Sequence, residues 1–202
     1  MSNRIKKLIV IILMSLLLLS LIGCSSQGNP EDTVENFFNY AKSFRLSSIK
    51  NSFDDLEGDT EEFFESISEG QEFPDYLSEY LKENAKKIEY NIIDSEIENS
   101  RAIVKVDVKY IDGGKLIRES FGEVFRTILA ESDGEKELSD EELDELFVET
   151  MKEKQRLNKE KIIEKEVMIK LVESRGKWYI EEMTEDLADI IMSGFIRAME
   201  DM

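Results

Sequence analysis

The spacing of the apolar residues changes near Ile88, and no other feature of the sequence constrains the fold as strongly. Before it, an apolar stripe recurs every three to four residues: Phe73, Tyr76, Leu77, Tyr80, Leu81 and Ala85. After it, apolar residues alternate with polar ones: Ala102, Val104, Val106, Val108 and Tyr110. The first spacing indicates an amphipathic helix and the second a half-buried strand. The chain is therefore predicted to be an α+β protein in which helices precede an antiparallel sheet.

Capping and turn residues predict the order of the elements along the chain. Asn29 followed by Pro30 marks the start of a first helix over 30–44. The elements predicted beyond it are helical pieces at 46–53 and 63–67, strands 88–97 and 101–111, two inserted helices of which the second starts at Ser139, strands 162–173 and 178–183, and a closing helix from 185. This order predicts N-terminal helices packed on two antiparallel hairpins, with two inserted helices and a C-terminal helix.

The composition excludes several classes of protein. The chain has 202 residues with no histidine and one cysteine, and its 26 basic and 45 acidic residues give a net charge of −19. A zinc site of the Cys/His kind, an intrachain disulfide and a Ser-His or Cys-His nucleophile pair are therefore excluded. Such an acidic chain repels phosphate, which disfavours nucleic acid as a partner. We expect no cofactor.

The N-terminus has the pattern of an export signal. Basic residues at 4, 6 and 7 precede an apolar run over 8–22, which is short for a membrane span of roughly 20 residues. The run ends in Leu21-Ile22-Gly23-Cys24, which resembles the lipobox of bacterial lipoproteins. The resemblance implies that diacylglycerol is attached to the Cys24 sulfur, with further acylation such as palmitate, and that the chain is cut after Gly23. An ordinary cleaved signal and an uncleaved anchor are the alternatives.

The predicted domains follow from this leader. Residues 1–23 are interpreted as a lipoprotein signal peptide, 24–29 as a lipidated tether and 30–202 as a single α+β domain. Cleavage removes three basic residues and no acidic one, so the mature chain carries a net charge of −22. We expect a cell-membrane protein held by its lipid on the extracytoplasmic face, since two or more acyl chains anchor a protein stably.

Several short segments resemble a group of small Firmicutes lipoproteins that form a domain family of unknown function. The segments are the lipobox, Pro-Glu-Asp-Thr-Val-Glu-Asn-Phe-Phe over 30–38, the strand over 102–112, Ser-Asp-Glu-Glu over 139–142 and Gly-Lys-Trp-Tyr-Ile over 176–180. This resemblance implies a nuclear-transport-factor-2-like (cystatin-like) cone, in which a curved antiparallel sheet wraps the N-terminal helices. It supplies no catalytic residues.

A cone of this kind can hold a pocket, and its enzymatic members use a carboxylate base with a Tyr or Asp hydrogen-bond donor. The candidates here are Tyr90 and Tyr110, with Asp107 as the carboxylate and Trp178 as a ligand-stacking residue. The strand pattern places Asp107 on the polar face and Tyr110 on the core face, where its hydroxyl needs one partner. The acidic run over 131–149 does not match the calcium-loop pattern. No metal site is predicted.

The sequence favours a non-enzymatic binding or scaffold domain, anchored to the membrane, whose partner is a protein, a peptide or a small apolar ligand. An enzyme that uses the cone cavity is one alternative. An immunity-type lipoprotein that sequesters a cationic peptide is another. The three classes differ in what they require: an enzyme needs a pocket with a buried ionisable group, a scaffold can have a filled core, and a sequestering protein needs an acidic groove.

Overall fold

The computed structural model describes residues 28–66, 74–131 and 138–200. The helices are α1 (Pro30–Lys42), α2 (Leu46–Ile49) followed by a 3₁₀ turn (Lys50–Ser52), α3 (Asp59–Ser66), α4 (Asp75–Ala85), α5 (Gly114–Glu131), α6 (Asp140–Leu157), α7 (Glu185–Ile191) and α8 (Phe195–Glu200). The strands are β1 (Glu89–Glu98), β2 (Arg101–Ile111), β3 (Ile162–Ser174) and β4 (Lys177–Ile180). The predicted signal peptide, Cys24 and Phe73 lie outside the described residues. None of the described helices is long and apolar enough to cross a bilayer.

The described strands form an open four-stranded sheet in the order β1-β2-β3-β4, and every pair is antiparallel. The α+β class and the two predicted hairpins are therefore confirmed. The alternation in β2 fixes the register, because Val106 pairs with Ile92 on one side and with Val167 on the other, all facing the core. A one-residue slip would turn each of these side chains to the opposite face. The β1–β2 register shifts between Ile92 and Asp94, which marks a β-bulge at Ile93.

Helix α1 covers one face of the sheet. Asn29 caps it by accepting a hydrogen bond from the Glu31 N–H, and Pro30 occupies the first turn, where its missing N–H has no cost. Its apolar residues recur at helical spacing and are all buried: Val34, Phe37, Phe38 and Ala41. The helix contacts β1, β2 and β4, so the core lies between α1 and the sheet.

The C-terminal elements differ from the prediction at two points. Strand β4 ends at Ile180, three residues early, and the Met183 N–H donates to the Thr60 hydroxyl of α3 at 2.8 Å instead of continuing the sheet. The closing helix is two helices, because Ser193 and Gly194 adopt φ values of 54° and 81°. A left-handed backbone cannot continue a right-handed helix, so the chain turns sharply there.

The inserted helices α5 and α6 pack against each other as a helical hairpin. The predicted capping box starts α6: the Ser139 hydroxyl accepts from the Glu142 N–H at 3.3 Å and the Glu142 carboxylate accepts from the Ser139 N–H at 2.9 Å. The apolar face predicted for α5 is only partly covered. Val124 is buried, whereas Phe121 and Phe125 are exposed.

Candidate functional site

A cluster of polar side chains lies where β2 ends. It contains Tyr110, Asp112, Asp189 and Arg197, and we refer to it as the β2-end cluster. Tyr110 and Asp112 close β2, whereas Asp189 is in α7 and Arg197 in α8. The turn between α7 and α8 brings the last two residues together, because the Arg197 backbone N–H donates to Asp189 Oδ1 at 3.1 Å.

Asp189 is the buried carboxylate of this cluster, with 2% of the residue exposed. Its Oδ2 accepts a hydrogen bond from the Tyr110 hydroxyl at 2.7 Å and lies 3.5 Å from Arg197 Nη2. Tyr110 is itself 1% exposed. Burial, together with the hydrogen bond to Asp189, raises the pKa of the Tyr110 hydroxyl, so its proton is held firmly.

Asp112 ties the cluster to the start of α5. Its carboxylate accepts from Lys161 Nζ at 2.8 Å and from the Gly114 N–H at 3.0 Å, and Arg197 Nη2 is 3.8 Å away. Burial alone would raise the pKa of the Asp112 carboxyl, but these hydrogen bonds and cations outweigh burial and lower it. Asp112 is therefore ionised throughout the neutral range.

Glycines allow the segment that follows β2 to pack closely on the turn between α7 and α8, beside the cluster. The Gly113 N–H donates to the Ser193 carbonyl at 2.7 Å. A Cβ built on Gly194 would lie 2.7 Å from Asp112 Oδ1, which is closer than real contacts allow. The positive φ of Gly194 is also one that L side chains rarely adopt. The segment Asp112-Gly113-Gly114 and the turn at Gly194 therefore pack directly against each other.

Enzymes with the cone fold that the sequence resembles can stabilise a developing oxyanion with a tyrosine hydroxyl and a protonated Asp. In this protein the Tyr110 hydroxyl donates to Asp189, and the carboxylate is further satisfied by Arg197. Both groups are buried, so a substrate atom placed near them would have to displace packed core. The geometry therefore assigns the pair to holding β2 against α7, as the core-face position of Tyr110 predicted.

The other predicted residues lie in separate surroundings. The Tyr90 ring stacks on Phe38 with centroids 4.7 Å apart, and its hydroxyl lies 3.3 Å from Asn39 Oδ1. Trp178 is 6% exposed in β4, and its backbone carbonyl accepts from the Thr33 hydroxyl at 3.0 Å. None of the contacts described for Tyr90, Tyr110 and Trp178 joins any two of them.

The uncovered face of the sheet carries paired charges. Asp107 is exposed there, as predicted, between two lysines that bind acidic residues of β3: Lys105 to Glu166 at 2.7 Å and Lys109 to Glu164 at 2.7 Å. These hydrogen bonds raise the pKa of both lysines. The cross-strand pairs satisfy the carboxylates of β3 and help to fix the β2–β3 register.

The hairpin of α5 and α6 exposes large apolar side chains. Phe121, Phe125 and Leu129 are 42%, 62% and 57% exposed, and Phe147 of α6 lies against Phe121 with ring centroids 5.0 Å apart. We call these four residues the hairpin patch. Exposed carboxylates follow along α6: Asp140, Glu141, Asp144, Glu145 and Glu149. None of them forms an ion pair with another described residue.

The predicted acidic run is thus described in part, over 138–149. Among the described residues no group of three acidic or cysteine side chains is placed to hold a metal ion.

Sequence reasoning did not single out Asp189, the buried carboxylate of the β2-end cluster. The signal was an acidic residue inside the apolar run Leu187-Ala188-Asp189-Ile190-Ile191, where a carboxylate requires partners.

Comparison of the chain with protein-family models, with curated proteins and with solved structures finds no match.

Proposed function

We propose that the protein is a lipid-anchored, extracytoplasmic binding domain without enzymatic activity, which holds a peptide or protein partner near the membrane. The observation that carries the binding part is the hairpin patch, where large apolar side chains face solvent. The buried ionisable pair of Tyr110 and Asp189 is bound internally, which supports a packing role in preference to catalysis. Exposed apolar patches of this kind mark interaction sites on soluble domains.

The anchor in this proposal rests on the sequence. Cys24 is the only cysteine of the chain and follows a small residue at the end of the apolar run. A thiolate is the natural nucleophile for forming a thioether with a lipid. Residues 24–29 would then place the helix that starts at Pro30 within about 20 Å of the lipid, at roughly 3.5 Å per extended residue.

The finer fold assignment, to the nuclear-transport-factor-2-like cone, is also part of the proposal. Packing of α1 across β1, β2 and β4 supports it, since an N-terminal helix is what the curved sheet of a cone wraps. The β-bulge at Ile93 supports it as well, because a bulge bends its strand and increases the local twist. Membership of the small Firmicutes lipoprotein group rests on the motifs given above.

The anchor can be tested by expressing the full chain in a bacterium that lipidates its lipoproteins. Intact mass of the mature N-terminus should show a chain that begins at Cys24 and carries diacylglycerol and acyl groups. The matched variant Cys24→Ala should retain residues 1–23 and lack the lipid mass. Protease added to intact, wall-stripped cells should degrade the anchored domain. Membrane-extracted protein with an unmodified Cys24 would refute the anchor, and protection from the protease would refute the extracytoplasmic location.

A further inference from the structure

We infer that the open edge of the sheet, strand β1, binds an extended basic segment of another chain, which adds a strand to the sheet. The inference concerns a different surface from the hairpin patch and does not depend on the lipid anchor. It combines an edge strand whose outer side has no strand partner among the described residues, a groove between this strand and α1, and an excess of acidic side chains around both.

The two edges of the sheet differ in how they are protected. Strand β4 has only four residues, and Phe53 forms a bridge to Ile180 along its outer side. Strand β1 has ten residues, and in the described part of the chain it pairs with β2 alone. A long edge of this kind is a template for another strand, because its outward N–H and C=O groups have no ladder partner.

The alternation of hydrogen bonds identifies the outward backbone groups of β1. In an antiparallel sheet, successive residues of a strand bond alternately to one neighbour and to the other. One residue beyond β2, the Asp112 N–H donates to the Lys161 carbonyl at 2.8 Å, so even-numbered residues of β2 bond to β3 and odd-numbered ones to β1. The β1 residues opposite even-numbered positions therefore direct their backbone groups outward; they are Tyr90, Ile92, Ser95 and Ile97.

The hydrogen bond of the Ser95 N–H agrees with this assignment. It donates to the carboxylate of the preceding residue, Asp94, at 2.9 Å. The carbonyl of an added strand would replace Asp94 Oδ1 as the acceptor and leave that carboxylate available to a cation. The Ile97 side chain on the same edge is 57% exposed, and an added strand would cover part of it.

A groove runs beside this edge, between β1 and the first turns of α1. Its lining combines residues 90–95 of β1 with Glu31 and Glu35 of α1. The charged residues of this lining are Glu31, Glu35 and Asp94, and no basic residue is among the described ones. None of the three carboxylates forms an ion pair with another described residue. A strand added to β1 would lie along this groove with its side chains near these carboxylates.

Strand β1 is itself acidic. It carries no basic residue and four acidic ones: Glu89, Asp94, Glu96 and Glu98. Three basic residues of β2 lie opposite members of this set, but each forms an ion pair with a carboxylate outside β1: Arg101, Lys105 and Lys109. Lys42 lies 5.9 Å from the Tyr90 ring, and Lys170 lies in a groove with Glu96 and Glu98. The four carboxylates of β1 and the two of α1 outnumber these two further cations.

These features select the occupant. Pairing along an edge requires an extended chain, and carboxylates on both sides of the edge favour lysine or arginine on that chain. A second copy of this protein would pair β1 with β1 and set acidic residues against acidic residues. Like charges opposite each other destabilise strand pairing, so we expect a basic segment of another protein.

The test uses the full chain in phosphatidylcholine nanodiscs, with empty nanodiscs as the background. The probe is a fluorescent peptide of alternating lysine and valine, as long as β1. A second peptide has proline in place of each valine, which keeps the charge and removes every second backbone N–H. A third has glutamate in place of each lysine. Binding is measured by fluorescence anisotropy at low and physiological salt, and hydrogen exchange with mass spectrometry locates the site.

The first peptide should bind and slow the exchange of amides in β1. The proline peptide should bind about tenfold more weakly or worse, because it forms fewer backbone hydrogen bonds with the edge. The glutamate peptide should not bind, because the carboxylates of the edge repel it.

Ser95→Pro tests the edge from the side of the protein, because it removes an outward N–H that bonds to no other strand. Proline is tolerated on an edge strand at such a position. We expect the affinity for the first peptide to fall about tenfold, whereas the matched control Ser95→Ala keeps the N–H and should change it by less than about twofold. Emission of the single tryptophan, Trp178, shows that each variant is folded. The proline peptide tests the same hydrogen bonds with the protein unchanged.

The charge is tested with a triple variant of the groove: Glu31→Gln, Glu35→Gln and Asp94→Asn. We expect weaker binding of the lysine peptide and a smaller loss of affinity between low and physiological salt. The control removes three exposed carboxylates of α3 with the same change in net charge: Glu61→Gln, Glu62→Gln and Glu65→Gln. An equal effect of the two triples would show that only the overall charge matters and would overturn the assignment of the site.

Each remaining outcome has one meaning. Equal affinities of the valine and proline peptides, tight binding of the glutamate peptide, or a dimer in sedimentation that Ser95→Pro dissociates would overturn the inference. A loss of binding in Phe125→Gln, with slowed exchange in α5 and α6 only, would place the site on the hairpin patch; the inference would fail and the proposed function would stand. If no peptide binds while Cys24 is lipidated, the inference fails and the anchor stands. If the peptide binds β1 and Cys24 is unmodified, the anchor fails and the inference stands.

Discussion

The hydrogen bond between Tyr110 and Asp189 gives the sharpest prediction for the fold. Its test distinguishes a structural role of this pair of residues from a catalytic role. The perturbations are Tyr110→Phe, Asp189→Ala and the two together. The core residues that the structure describes lie between Val34 and Ala198, so the chain from residue 25 onward retains them and is suitable for unfolding experiments.

The magnitudes follow from the contacts. Tyr110→Phe removes a hydrogen bond of 2.7 Å to an ionised acceptor and should cost about 1.5–3 kcal/mol. Asp189→Ala leaves the Tyr110 hydroxyl and the Arg197 N–H without their acceptor, at about 1–3 kcal/mol each. The Arg197 guanidinium is 38% exposed, so water can solvate it and its lost ion pair adds little. Asp189→Ala should therefore cost about 2–6 kcal/mol in total.

The assay is urea unfolding followed by Trp178 emission, analysed as a double-mutant cycle. The double variant should be more stable than the sum of the single effects predicts, by about 1–3 kcal/mol, because the Tyr110 hydroxyl is no longer left without its acceptor. The Arg197 N–H lacks its acceptor in both Asp189→Ala variants, so its cost cancels in the cycle. Because the pKa of Tyr110 is raised on folding, its contribution should be complete below about pH 10 and decline at higher pH. Asp107→Ala, at an exposed position of the same strand, should change stability by less than about 0.5 kcal/mol. Additive single effects, or a cost of Asp189→Ala below about 1 kcal/mol, would refute the reasoning.

Three further predictions concern packing, close approach and titration. Phe38→Ala and Trp178→Ala remove large buried side chains and should each cost about 3–5 kcal/mol in urea unfolding; a change below about 1 kcal/mol would contradict their burial. Gly194→Ala should destabilise the protein more than Gly176→Ala. The two glycines have nearly equal φ values, 81° and 79°, but only Gly194 has atoms within 4 Å of the added Cβ. Equal losses of stability in melting experiments would disprove the close approach. Asp112→Asn should destabilise the protein at pH 7. Because the pKa of Asp112 is lowered on folding, the difference in stability between the variant and the wild type should shrink as pH falls below about 4. A difference that persists at lower pH would contradict a stabilising role for the ionised carboxylate.

Local periodicity and capping predicted most of the fold. Three local signals depend on residues close together in the chain: the stripe from Tyr76 to Ala85, the alternation in β2 and the capping box at Ser139. The elements that they produce can therefore be predicted from the sequence. The break between α7 and α8 is different. The stripe continues at helical spacing from Ile191 to Phe195, and only the approach of Asp112 from a distant part of the chain shows why the backbone turns at Gly194.

The candidate site was less predictable, because partners distant in sequence determine it. The pattern placed Tyr110 in the core correctly, but its partner Asp189 is 79 residues away, and nothing in the sequence joins the two. Periodicity also predicted an apolar face on α5 without indicating whether another element covers it. Phe125 and Leu129 are exposed even though α6 and α8 both pack on α5.

Charged side chains contribute differently to the sheet and to α6. On the sheet, Lys105 and Lys109 pair with carboxylates across β2 and β3, so charge there contributes to strand register. On α6, Glu141, Glu145 and Glu149 are spaced by four residues, and like charges at this spacing destabilise a helix by about 0.2–0.5 kcal/mol per pair. The helix dipole offsets this only in the first turn, which Glu145 and Glu149 lie beyond. Beyond that first turn the carboxylates of α6 oppose their own helix, whereas the carboxylates of β3 are paired and help to hold two strands in register.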